Sequence, residues 1–172
     1  QENIQDTDLE ENVERTLGQA RLFGALYFEK DSSWFGNDTA MTLEPKIQYL
    51  YTSYEDQTAI GLYDSTPLLT DVEGLFRGQE FTGLDRISDN NQVTLGITSR
   101  ILDKNNREQF VLSLGQIFYL EDNKVIAATK NQDRSALAAE MDWRFNKNWY
   151  AHSDIQVTTD TDKVDLSSVG VE

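Results

Sequence analysis

At 172 residues the chain is long enough for one ordinary domain with its own core, and its net charge of −15 sets it against nucleic-acid phosphates. With no cysteine and one histidine, His152, it offers no disulfide framework, no thiolate chemistry and no multi-histidine metal centre. It has no run of about 18 apolar residues to make a transmembrane helix, which leaves open spanning strands of roughly 9–11 residues with only half of them apolar.

Residues 1–14 are acidic and amide-rich and read as a loop or frayed tail. The start at Gln1, with no basic-then-apolar leader, sets the expectation of a processed or excised piece of a longer protein. From there the chain is written mostly in period two. Residues 22–28 are apolar on both faces, so their phase is ambiguous. Residues 41–51 put Met41, Leu43, Ile47, Tyr49 and Tyr51 on one side and Thr42, Glu44, Lys46 and Gln48 on the other, with Pro45 removing one ladder donor. A long polar loop covers 53–91. Residues 92–102 alternate most cleanly, with Val93, Leu95, Ile97 and Ile101 opposite Thr94, Gly96, Thr98 and Arg100.

After a short turn at 103–107, residues 109–120 carry Phe110, Leu112, Leu114, Phe118 and Leu120 on one face, but also Val111, Ile117 and Tyr119 on the other. A second long loop, 121–133, leads to 137–145, where Leu137, Ala139, Met141, Trp143 and Phe145 oppose Ala138, Glu140, Asp142 and Arg144. A tight turn at 146–148 leads into 148–158, with Trp149, Ala151, Ile155 and Val157 against Tyr150, His152, Asp154, Gln156 and Thr158. A last strand begins near Asp165. The chain stops inside it, as a truncated barrel would. No internal repeat or flexible linker divides the chain, so 1–172 reads as one unit.

Alternation alone does not separate a membrane barrel from a soluble sandwich. Strands of about 10 residues, against a usual 5–6, favour the barrel, as does a long–short rhythm of connections. Aromatic residues gathered at strand ends point the same way, as do charged residues in the middle of polar faces, where they would line a wet lumen. The fold class expected is therefore all-β: a partial, antiparallel up-and-down transmembrane β-barrel with one long extracellular loop. The rival is a soluble, secreted β-sandwich that binds carbohydrate or a protein partner. A second rival keeps the barrel as a simple porin.

Several blocks then occur in a specific order: Thr42-Leu-Glu-Pro-Lys-Ile-Gln-Tyr-Leu-Tyr51, Tyr63-Asp-Ser-Thr66, Gly74-Leu-Phe-Arg77, Gly83-Leu-Asp-Arg-Ile87, Asn91-Gln-Val-Thr-Leu-Gly-Ile-Thr-Ser-Arg100 and Gly115-Gln-Ile-Phe-Tyr119. Over 42–120 the chain closely resembles the central barrel of the LptD family of lipopolysaccharide-assembly proteins. The resemblance implies a barrel in the Gram-negative outer membrane that places lipopolysaccharide in the outer leaflet. It implies an LptE-like lipoprotein plugging the lumen and a periplasmic Lpt bridge, reached through an N-terminal domain absent from this stretch. The family's lateral gate also lies outside it. No cofactor or metal is implied.

The loop stretch with Phe76, Arg77, Asp85 and Arg86 is the leading functional candidate, because a loop of nearly forty residues is longer than loops normally run without a role. By the resemblance it folds against the lumen and caps the barrel from outside; the plainer reading is that Asp85 and Arg86 tie the loop to itself. Arg100, Glu140, Asp142, Arg144, His152 and Asp154 are candidate lumen-facing contacts. The paired carboxylates Glu140 and Asp142 suggest acid–base work only weakly, hydration beside Arg144 being the better account. Asp160-Thr-Asp162 lacks the glycine and closing glutamate of a calcium loop. No catalytic motif is present, and a non-enzymatic conduit is expected.

Overall fold

The computed structural model describes residues 15–57, 71–79, 82, 87–125, 133–158 and 163–171, with only the backbone of 163–166. These residues form one antiparallel sheet of eight strands: β1 (Gln19–Ala25), β2 (Phe28–Trp34), β3 (Asn37–Thr52), β4 (Asn90–Leu102), β5 (Glu108–Tyr119), β6 (Leu137–Arg144), β7 (Tyr150–Thr158) and β8 (Lys163–Val171). From β3 onward each strand pairs with the next in sequence, in the order β3-β4-β5-β6-β7-β8, and β1 and β2 both pair with the other edge of β3. This up-and-down antiparallel architecture is the expected fold class. Among the described residues the sheet is open, with β8 at one edge and β1 and β2 at the other.

β1 and β2 are one long strand with a single break. Gln19 faces Thr52 and Trp34 faces Asn37 in the same register throughout. The break lies opposite Pro45, where Leu26 donates to the Pro45 carbonyl at 3.0 Å and the proline has no N–H to return. On its other side β3 runs unbroken for thirteen partners along β4. The proline therefore costs one rung without ending the 16-residue strand.

The register resolves the ambiguous phase of 22–28, placing Leu22 and Gly24 beside Tyr49 and Ile47, and Arg21 and Phe23 on the opposite face. β2 was not legible in the sequence, because Glu29–Ser33 is polar on both faces and carries no alternation. At its end Trp34 and Asn37 flank a two-residue turn in which Phe35 and Gly36 both have positive φ, 47° and 78°. β8 begins at Lys163, two residues before the expected start.

The two faces of the sheet invert the polarity of a soluble protein. On one face Gln48 and Thr94 are 0 % exposed and Gln92, Thr98 and Glu44 are buried with them. On the other, Ile47, Leu95, Ile97, Leu112 and Ile155 stand open, Ile47 at 51 %. We call these the inner and outer faces. Aromatic residues close the outer face at both ends, Tyr49, Tyr51 and Phe118 on the side of the long loops and Trp34, Phe110 and Trp143 on the side of the short turns. Phe110 and Phe118 are eight residues apart on β5, roughly 27 Å at the usual strand rise, against a barrel's apolar band of about 25 Å.

The turn at 103–107 is built by Asp103, whose Oδ1 accepts the backbone N–H groups of Asn105 at 2.7 Å and Arg107 at 3.0 Å. These bonds, that to Arg107 foremost, hold the exposed carboxyl below its ordinary value of 3.8. A lowered carboxylate stabilises the turn above its ordinary value, and the stabilisation is lost as pH falls through the lower folded value. Protection of the Arg107 amide against exchange, relative to an unstructured amide at the same pH, should therefore hold down to about pH 4 and fall only below it. Asp103→Asn should remove that pH step; persistence of the step would assign it elsewhere.

Candidate functional site

The inner face has a floor made by two glycines. Gly96 on β4 and Gly115 on β5 are directly opposite in the register. A methyl group on Gly96 would lie 2.7 Å from the Phe76 ring, and one on Gly115 would lie 2.8 Å from Leu75 Cδ1. Only the missing side chains let another segment approach so closely. That segment is 71–78, from the loop that joins β3 to β4. It folds back over the inner face with a single 3₁₀ turn at Gly74–Phe76. Asp71 shapes the turn by accepting the Gly74 N–H at 2.5 Å and pairing with Arg77 at 3.2 Å.

Apolar packing and hydrogen bonds hold this segment from both sides. Leu75 is 1 % exposed and packs with Val72, Ile117 and Ala138, with Phe76 and Tyr119 beside them. Thr94 Oγ1 donates to the Leu75 carbonyl at 3.2 Å, and Glu140 accepts the Val72 N–H at 2.7 Å. Towards β1, Arg21 donates to the Phe76 carbonyl at 2.9 Å and Gln19 to the Gly78 carbonyl at 3.1 Å, while the Phe23 ring meets Phe76 edge-on at 6.1 Å. The segment thus crosses the sheet from β1 to β6.

This docking explains Ile117 and Tyr119 on the supposedly wet face of β5. Val111 and Ile117 are buried there, and Ile117 lies under the loop. Ile117 and Tyr119 were the signal in the sequence that something apolar covers this face.

The loops are also tied at their bases by residues that sequence reasoning passed over. Gln57 clasps the backbone of Ile87, donating to its carbonyl at 2.7 Å and accepting its N–H at 2.9 Å. Asp89 accepts the N–H groups of Lys124 and Val125, and its own carbonyl accepts from Asn123 at 2.7 Å, joining the loop before β4 to the loop after β5. Amide and acid side chains in loops are too common to be singled out without coordinates.

Of the sequence candidates, Phe76 is in the docked segment and Arg77 at its edge. Asp85 and Arg86 lie outside the described residues, as do Tyr63–Thr66 of the block pattern and Asp160 and Asp162. Arg100 is elsewhere on the inner face, bridging Glu44 at 3.0 Å and Glu108 at 2.5 Å across three strands.

Asp142, His152 and Asp154 form one network. Imidazole Nδ1 lies 2.7 Å from Asp142 and Nε2 2.7 Å from Asp154. The Tyr150 hydroxyl donates to Asp142 and Ser168 donates to Asp154 at 3.0 Å, so the network ties β6, β7 and β8. Glu140 faces Asp154 in the register but spends a carboxylate oxygen on Val72. Both members of the Glu140–Asp142 pair are thus engaged in holding neighbouring elements. Arg144 stands apart at the short-turn end. Among the described residues no group of three acidic or histidine side chains converges as a metal site would require.

The LptD family model, LPS transport system D, matches residues 1–172. An LPS-assembly protein LptD of Pseudoalteromonas atlantica is 70% identical over all 172 residues, and one of Shewanella oneidensis is 48% identical over 163 residues, 92% of this chain. The LptD of Pseudoalteromonas translucida is 42% identical over 99% of the chain. The chain covers 23%, 21% and 23% of those relatives respectively, less than a quarter of each. An all-β antiparallel sheet and a match over every residue agree: the chain belongs to the LptD family.

Proposed function

We propose that this segment is part of the wall of a single outer-membrane β-barrel that delivers lipopolysaccharide to the outer leaflet, and that its own loop lines the lumen. The observation that carries the reading is the inverted polarity of the sheet, with Gln48 and Thr94 buried while Ile47 and Leu95 are open. In water that arrangement leaves a large apolar face uncovered. In a bilayer the same face meets hydrocarbon and the polar face encloses the lumen. This supports the membrane reading over the secreted sandwich. A loop docked within the lumen supports a guarded conduit over an open porin. The long loops then lie outside the cell and the short turns face the periplasm. An LptE-like lipoprotein in the lumen and a periplasmic Lpt bridge belong to the same proposal. Arg100, Glu140, Asp142, His152 and Asp154 shape the inner wall, Phe76 and Arg77 its cover, and Asp85 and Arg86 would continue that cover.

The test is photocrosslinking in the full-length protein in cells. A crosslinker in place of His152 or Arg100 should capture a lumen lipoprotein, and one at Ile97, on the lipid side, should not. Depletion of the protein should stop newly made lipopolysaccharide from reaching the surface. Unchanged surface lipopolysaccharide after depletion would sink the proposal.

A further inference from the structure

The short-turn end of the outer face holds a feature that wall-building does not require. In the two-residue turn between β2 and β3, the first position is one where asparagine, aspartate or glycine is favoured, because φ is positive. Phe35 occupies it at φ 47° and is 79 % exposed. A bulky side chain there is disfavoured by its backbone and again by its exposure to water. Neither disadvantage is repaid by burial within the chain.

Phe35 is not isolated. It meets Trp34 edge-on at 5.2 Å, Trp34 stacks on Phe110 at 5.9 Å, Phe110 pairs across the ladder with Trp143, and Trp143 lies 4.1 Å from Phe145. This aromatic ledge borders a cavity of about 510 Å³ at the rim of the sheet, lined as well by Lys104 of the short turn and by Arg144, which ends β6 in the phase of the inner face. Two carboxylates share the cavity. Asp103 is engaged by its own turn, and Asp38 makes an exposed pair with Lys104 at 3.2 Å, which is weak and readily exchanged. No carboxylate among the described residues pairs with Arg144. Charge separates the two ends of the sheet. Residues 29–40, 103–108 and 143–149 carry five acidic and five basic side chains, a net of zero, whereas 53–89 carries eight acidic and two basic, a net of −6.

We propose that this rim binds the headgroup of a phospholipid, with Phe35 inserted at the level where headgroup meets acyl chain and the phosphate held by Arg144 and Lys104. Aromatic rings settle at that level, and guanidinium and ammonium groups hold phosphate oxygens there. The site rests on the membrane reading above and adds to it an occupant and an anchor. An exposed, strained phenylalanine becomes favourable once its surroundings are lipid. The phosphate would displace Asp38 from Lys104.

The experiment uses the full-length protein in bilayers of phosphatidylethanolamine and phosphatidylglycerol. A bimane probe on Phe35→Cys should be quenched more by nitroxide near the headgroup than by nitroxide deep in the chain. Arg144→Gln with Lys104→Gln should lower, several-fold, the phospholipid retained through gel filtration in mild detergent and counted by mass spectrometry. Phe35→Asn should leave the melting temperature in detergent unchanged or raised while weakening lipid retention, because asparagine relieves the backbone. A probe at residue 35 untouched by either nitroxide, retention unaffected by loss of both cations, lipopolysaccharide retained there in place of phospholipid, or a Phe35→Asn protein less stable in detergent would each overturn it. Failure of the protein to integrate into bilayers at all would instead remove the membrane reading beneath it.

Discussion

Leu75→Ala should free the 71–78 segment from the inner face while leaving the sheet intact. Leu75 is 1 % exposed and fills the space over Gly115, so truncation removes buried methyl groups and leaves a cavity, at a cost of about 2–5 kcal/mol. The loss falls on docking, which is a local equilibrium, and every 1.4 kcal/mol is tenfold in it. Protease cutting within 53–89 of the folded, reconstituted protein should accelerate by at least about tenfold.

The floor should give the same result from below. Alanine at Gly115 meets only the tip of Leu75, which can swing away, and should be mild. Valine adds two methyl groups beyond a carbon that already overlaps Leu75 and touches Val72, and should cost about 1–3 kcal/mol. Gly24→Val is the control, since its nearest neighbour is Ile47 at an ordinary 3.5 Å and it lies on the outer face. Equal protease resistance in Leu75→Ala, Gly115→Val and Gly24→Val would mean that the segment does not rely on this floor.

Ile97→Arg should be the most damaging change on the outer face. Ile97 pairs with Pro45 on one side and Leu114 on the other, midway between the aromatic ends. An arginine on the lipid side at mid-depth costs about 2–4 kcal/mol, and near an interface about 0–1 kcal/mol. Met41→Arg, close to the short turns, should therefore cost much less than Ile97→Arg when folding into bilayers is titrated with denaturant. If this face met water instead, both would stay within about ±0.5 kcal/mol of the unaltered protein. A flat response with depth would return the soluble sandwich to favour.

Much of this architecture was legible in the sequence because its two signals are local. Alternation in 92–102 and 137–145 reports which face is wet, and the turns at 103–107 and 146–148 report pairing. What stayed hidden is what depends on contacts distant along the chain. Gly96 and Gly115 stood in the recognisable blocks, yet nothing in either block says that the two residues face each other under a loop. His152, Asp142 and Asp154 share a phase that the pattern gives, but Tyr150 and Ser168 join them only through the pairing of β6, β7 and β8. β2 escaped because a strand polar on both faces has no hydrophobic period to detect.

The docked loop also imposes an order of events. Leu75 rests on residues 40 and more positions further along the chain, and Val72 is secured by Glu140, 68 positions away. Its resting place does not exist until β4, β5 and β6 have come together, whereas the β4–β5 hairpin needs only its own short turn. The loop is therefore a late arrival. Until then Val72, Leu75 and Phe76 have nothing to cover them, so the order in which the strands pair sets how long these apolar side chains stay exposed.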